Sequence, residues 1–139
     1  MTTLASTPAY RFCRVAQKVH NRLDELFLAH GTRTEQWAAL RTIDECGPLC
    51  QKDLAIILGK NQNTVKALID RLLAQELIER TQNPKDRRQM VLRISKTGSA
   101  QLAKLAPQEE AINRSVTDAL SEEECAELLC LLTKIEQHL

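Results

Sequence analysis

The sequence predicts a mainly α-helical chain carrying one small β-hairpin, and three observations carry that expectation. Apolar residues recur at helical spacing through four stretches between Pro8 and Leu72, each closed by a glycine, a proline or a capping residue. A segment that alternates well, Met90-Val91-Leu92-Arg93-Ile94, follows the turn former Asn83-Pro84. With 139 residues, 43% of them hydrophobic, and only four Gly and four Pro, the chain is expected to form one domain spanning 1–139. That composition disfavours a disordered chain and a collagen-like repeat, and five cysteines are too irregularly spaced for a disulfide scaffold. No stretch has the roughly 20 consecutive apolar residues of a membrane span. The start MTTLASTPAYRF lacks the charged and apolar regions of a signal peptide, so a cytoplasmic location is expected.

Each element has a local cause. Thr7 followed by Pro8 sets a helix start, and Phe12, Val15, Val19, Leu23, Leu26 and Phe27 form its stripe until His30-Gly31. Thr32 or Thr34 can cap a second helix bearing Trp37, Leu40 and Ile43, which stops before Gly47-Pro48. Cys50 to Gly59 holds a short third helix turning Leu54, Ile57 and Leu58 inward. Asn61 caps a fourth helix that buries Val65, Leu68, Ile69 and Leu72 and leaves a polar face near its start. Leu77–Arg80 and Met90–Ile94 are expected strands, joined by a long basic connection from Thr81 to Gln89. Ser95 caps a helix from Lys96 that Pro107 is expected to kink or interrupt, and Ser121-Glu122-Glu123-Glu124 reads as a capping box. The last helix, with Leu128, Leu129, Leu131, Leu132 and Ile135, carries more apolar surface than a lone surface helix needs. The order is that of a winged helix-turn-helix with N- and C-terminal helical extensions.

Net charge is only +1, but it is unevenly placed. Residues 1–105 carry 17 basic and 10 acidic groups, whereas residues 106–139 carry 2 basic and 8 acidic groups. A polyanion can therefore be met only by the first part. A run of charge alone describes a solvated face, and its position on the fold decides whether it does more. A short helix, a tight turn and a second helix with a polar start can place that second helix in a DNA major groove. Lys60 stands in the turn; Gln62 and Asn63 offer paired amide groups to an adenine edge; Thr64 can meet a phosphate or a thymine methyl; Lys66 can reach phosphate or guanine. Lys85, Arg87 and Arg88 stand where extended cations can enter a minor groove or clamp phosphates. Asp86, an acid among them, is expected to orient a neighbouring arginine and so hold the shape of the hairpin, with Arg88 either its partner or the base-reading residue.

Asn83-Pro84-Lys85-Asp86-Arg87-Arg88 followed by Val91-Leu92-Arg93-Ile94-Ser95-Lys96-Thr97-Gly98 resembles the wing signature of the multiple antibiotic resistance regulator (MarR) family. Gln36-Trp37, Cys46-Gly47-Pro48-Leu49, Asp53-Leu54-Ala55, Thr64-Val65 and Ile69-Asp70-Arg71-Leu72 extend the likeness over nearly the whole chain. The resemblance implies a homodimer joined through dimerisation helices at about 8–30 and 96–139, with a DNA-binding unit at about 34–95. It also implies a pseudo-palindromic double-stranded operator, and repression released by a small-molecule effector or an oxidant. Three positions depart from the family pattern: Glu76 stands where glycine is common, Cys50 where a Ser or Thr cap is common, and Arg33 at another cap. Glu76 suggests that its helix ends differently, because a left-handed residue other than glycine costs about 1 kcal/mol.

The cysteines allow a different class of function, a thiol redox switch or a protein-binding adaptor built on the same winged helix. Cys50 at a helix N-terminus, with Cys46 across Gly47-Pro48, is the candidate redox pair; each also suits a small apolar residue filling space. Cys13 lies one turn beyond the register at which the family's hydroperoxide sensors place their reactive thiol, and Cys125 and Cys130 read as packing residues. No metal or cofactor is expected: Cys46 and Cys50 lack a second close pair, and His20, His30 and His138 are scattered, His20 reading as interfacial or solvated. No phosphate loop, nucleophile elbow or paired-carboxylate motif appears, so the chain is not expected to be an enzyme.

Overall fold

The computed structural model describes residues 2–139. Among them are six α-helices and one two-stranded antiparallel hairpin, in the order α1 (Pro8–Leu28), α2 (Thr34–Cys46), α3 (Gln51–Leu58), α4 (Gln62–Ala74), β1 (Ile78–Asn83), β2 (Asp86–Ile94), α5 (Lys96–Thr117) and α6 (Glu122–His138). The expected mainly helical fold with a hairpin wing is the fold observed. The chain divides into two compact units, the first ending at Ala106 and the second running Pro107–Leu139.

In the first unit, the helix starts depend on where the hydroxyls find partners. Thr7 occupies the N-cap of α1, but its hydroxyl donates back to the Thr3 carbonyl. Neither Thr32 nor Thr34 caps α2; the N-cap residue is Arg33, which makes no side-chain capping bond. Both threonines are buried and committed elsewhere, Thr32 donating to Gln36 Oε1 at 3.3 Å and Thr34 to Asp24 Oδ1 at 2.6 Å. Cys50 stands at the N-cap of α3 without a side-chain bond, as a weak sulfur acceptor would. Gly59, at φ +64°, ends α3 in the left-handed conformation. Ile57 does not turn inward as expected: it is 53% exposed, and the small Ala55 joins Leu54 in the core instead.

Leu40, Ile43, Leu54, Val65, Ile69 and Leu72 are all 2% exposed or less, so α2, α3 and α4 close around one apolar centre. Leu77, Ile78 and Leu92 bring the hairpin's base into the same cluster. Gly98, in the first turn of α5, lets that helix approach the end of α4: a Cβ there would lie 2.1 Å from the Leu77 carbonyl oxygen.

Three boundaries differ from expectation. The hairpin is longer, with only Pro84-Lys85 linking its strands, because pairing continues through Thr81↔Val91, Gln82↔Met90 and Asn83↔Asp86. Helix α4 ends in the usual glycine manner despite Glu76, which adopts φ +60°. Its N–H bonds to the Leu73 carbonyl and the Leu77 N–H to the Leu72 carbonyl, the Schellman arrangement. The Ser95 hydroxyl donates to the Glu76 carbonyl at 2.6 Å, which holds the strained residue in place. Pro107 does not interrupt α5; Ala103, Leu105, Ala106, Glu109 and Glu110 around it are strong helix formers.

In the second unit, Ser121 and Glu124 form the expected capping box, the Glu124 N–H reaching Ser121 Oγ at 3.1 Å and the Ser121 N–H reaching Glu124 Oε1 at 2.9 Å. Helix α6 has no buried residue.

Candidate nucleic-acid interface

The start of α4 is built from the turn upward. Gly59 reverses the chain, Lys60 N–H bonds to the Ala55 carbonyl, and Asn61 Oδ1 accepts the Thr64 N–H at 2.8 Å. Asn61 is thereby spent on capping. Gln51 of α3 donates its amide to the Gln62 carbonyl at 3.4 Å, a second tie across the turn. With Val65, Leu68, Ile69 and Leu72 facing the core, Gln62, Asn63, Thr64 and Lys66 are left exposed, as is Lys60 in the turn. No acidic residue stands in the first turn, so the positive end of the helix dipole is uncompensated there. The side chains of Gln62, Asn63 and Lys66 make no hydrogen bond to the other described residues.

Side chains hold the hairpin tip. Asn83 Oδ1 accepts the Lys85 N–H at 3.0 Å, and Asp86 Oδ1 accepts the Arg88 N–H at 3.0 Å. Gln82 donates to the Arg87 carbonyl at 3.0 Å and Asn83 to Gln89 Oε1 at 2.8 Å. Asp86 therefore engages Arg88 through the main chain rather than through its guanidinium. This fixes the backbone without neutralising the cation. Lys85 occupies the turn, and Arg87 and Arg88 open β2; all three are exposed, and none is in an ion pair with the described residues.

The base of the hairpin is tied to the segment that leads into α3, and it packs in the same apolar cluster as α4. Leu49, just before α3, pairs with Leu92 in an isolated bridge, N–H to carbonyl at 3.2 and 2.8 Å in the two directions. Lys66 of α4 and Arg80 of β1 line one 270 Å³ cleft with Gln51, Met90 and Leu92. The polar face of α4 and the stem of the hairpin thus share one side of the unit, and that side is cationic.

A MarR family profile matches residues 33–90, from the start of α2 into β2. A structure of a probable transcriptional regulator from Pseudomonas aeruginosa is 30% identical, covering 96% of this chain and 99% of that one, with a TM-score of 0.77. The chain belongs to the MarR family. Within that family's vicinity, the HTH-type transcriptional repressor NicR of Pseudomonas putida is 28% identical over 100 residues, which are 72% of this chain and 63% of NicR. The Bordetella bronchiseptica protein BpsR, whose DNA binding is regulated by 6-hydroxynicotinic acid, is 21% identical and shares the fold at a TM-score of 0.89, over 98% of this chain and 97% of that one.

Sequence reasoning passed over several residues of this MarR-family surface. In the sequence Arg80 is only the end of an expected strand, and strand pairing places it on the same cleft as Lys66. Gln82, Asn83 and Gln89 read as loop, although their hydrogen bonds shape the tip. Leu49 gave no strand signal because a single bridging residue has no periodicity. Of the redox candidates, Cys46 is exposed and Cys50 is buried.

Proposed function

We propose that this chain is a homodimeric, sequence-specific DNA-binding repressor of transcription, cytoplasmic and not catalytic. Its two α4 helices would enter successive major grooves about 10 base pairs apart, with each hairpin reaching the flanking minor groove. One observation carries the reading: the unoccupied amides of Gln62 and Asn63 and the unpaired cations Lys66, Lys85, Arg87 and Arg88 belong to two elements that share one core and line one cationic cleft. Lys60 and Thr64 flank the same helix start as phosphate contacts, and Asp86 shapes the wing. Release by a small effector is supported by an open pocket of 500 Å³ lined by Leu28, Gly31, Thr32, Arg33, Gln36, Arg71 and Gln75. Its two guanidinium groups suit an organic anion. Burial of Cys50 weighs against an oxidant as the releasing signal, since the thiolate needs access.

Genomic footprinting followed by titration of the recovered promoter at several salt concentrations tests this. Arg88→Ala is expected to weaken specific binding by about 1–3 kcal/mol, and Lys66→Ala to lower the salt slope by about one. Wild-type affinity and slope in both variants would overturn the assignment, and loss of all binding at physiological salt would favour the protein-binding adaptor.

A further inference from the structure

The three scattered histidines gave no metal signal in the sequence, but the fold brings one of them to two carboxylates. His20 Nε2, on α1, lies 3.3 Å from Asp24 Oδ2 one turn along and 3.3 Å from Glu35 Oε1 in the first turn of α2. One ligand atom from each residue falls within 4.8 Å of the other two, and all three side chains are only partly exposed, at 35–41%. We propose that His20, Asp24 and Glu35 form a binding site for a first-row divalent transition ion, zinc by preference, that ties α1 to α2.

The spacing has room for a shared ion. A charge-assisted N–H···O⁻ bond brings its heavy atoms to about 2.7–2.9 Å, shorter than either distance here. Zinc held at roughly 2.0–2.1 Å by nitrogen and oxygen in a tetrahedron sets its ligand atoms about 3.3 Å apart, which is the distance His20 keeps to both carboxylates. The donor set selects the metal class: one imidazole and two carboxylates suit zinc and its neighbours, whereas magnesium and calcium take oxygen alone. Three protein ligands leave a fourth position for water.

The surroundings prepare the ligands. Thr34 is buried and donates to Asp24 Oδ1 at 2.6 Å, so the other oxygen is turned toward His20. Hydrogen-bonded support of this kind is what orients ligating carboxylates. The Thr34 hydroxyl also holds the Asp24 carboxyl below the usual carboxylate range, against the opposing effect of burial, with lesser help from the charges of His20 and Arg33. The carboxylate is ionised and aimed before any ion arrives.

The site stands apart from the DNA-binding reading, and its test uses no DNA. Chelator-treated protein is titrated with Co²⁺, whose visible d–d bands report coordination, and bound Co²⁺ is then displaced by Zn²⁺. One ion per chain is expected, with affinity lowered at least 100-fold in His20→Ala and in the isosteric Glu35→Gln, and unchanged in Glu25→Gln, a neighbouring carboxylate outside the cluster. Thr34→Ala is expected to weaken binding by about 10–100-fold while all three ligands remain. Circular dichroism and the fluorescence of Trp37 confirm that each variant is folded. Folded variants that bind Co²⁺ as the parent does would overturn the site. So would absence of any bound ion, which would leave the cluster a contact between side chains alone.

Discussion

The segment from α2 to β2 and the second unit treat their apolar side chains in opposite ways. In the first, Leu40, Ile43, Leu54, Val65, Ile69 and Leu72 are sealed from water by residues of the same chain. In the second, α6 buries nothing, and Leu129 and Leu131 are 65% and 47% exposed. Charge follows the same division, basic in residues 1–105 and acidic beyond. The lesson is that the segment from α2 to β2 closes its own core, while the terminal helix leaves a leucine stripe exposed, the surface that the proposed homodimer would cover. Helix α1 shows the same incompleteness: of its predicted stripe only Phe27 is buried, and Phe12 and Val15 are 45% and 50% exposed.

The largest effect should therefore come from breaking the interface that α6 is proposed to supply. Leu131→Glu together with Ile135→Glu puts two charges on one helix face. Sedimentation is expected to show a monomer, and operator affinity is expected to fall by about 10²–10⁴ because the two half-sites are no longer bound as one event. The single Trp37, stacked on Phe27 at 4.9 Å in the first unit, should keep its emission. A variant that remains dimeric with parental affinity would place the self-association surface elsewhere.

The contrast also explains what was legible in the sequence. Elements that fill the core announce themselves by periodicity, and α4 was readable down to its four buried residues and its Asn61 cap. The hairpin is legible only at its base, where the adjacent Val91 and Leu92, on opposite faces of β2, are both buried. Toward the tip both faces are solvated, no alternation survives, and a long loop was expected where strands continue. Caps are illegible where a hydroxyl has a better partner, as Thr34 has in Asp24. The Lys66–Arg80 cleft and the His20–Asp24–Glu35 cluster join residues whose neighbourhood depends on tertiary packing. Only the His20–Asp24 spacing of four along α1 hinted at either.

A second way to sharpen the contrast is to disturb the self-sufficient unit from within. Replacing glycine by alanine inside a helix ordinarily stabilises it by about 1 kcal/mol. At Gly98 the sign should reverse, because the new Cβ would meet the Leu77 carbonyl oxygen at 2.1 Å and Ile94 Cγ1 at 2.8 Å. The main chain there has little room to give, since the Leu77 carbonyl accepts the Ser95 N–H and the Leu77 N–H closes α4 on Leu72. Gly98→Ala is expected to lower the unfolding free energy by about 1–3 kcal/mol in denaturant titration. An increase would mean that α5 can slide away from the end of α4.

The smallest expected effect lies at Glu76, and its sign is the informative part. Its left-handed backbone costs about 1 kcal/mol for a residue with a Cβ, yet the Schellman bonds and the Ser95 hydroxyl hold it at φ +60°. Glu76→Gly removes that strain while adding freedom to the unfolded chain, and compatible glycine exchanges place the balance at about 0.5–1 kcal/mol in favour of the variant. Glu76→Asn, a residue that tolerates the left-handed region, should fall between the two. The order Gly, Asn, Glu in denaturation midpoints would show that the surrounding hydrogen bonds impose the turn on an ill-suited residue. A destabilised Glu76→Gly would instead show that the glutamate side chain contributes to folding through a contact beyond its backbone.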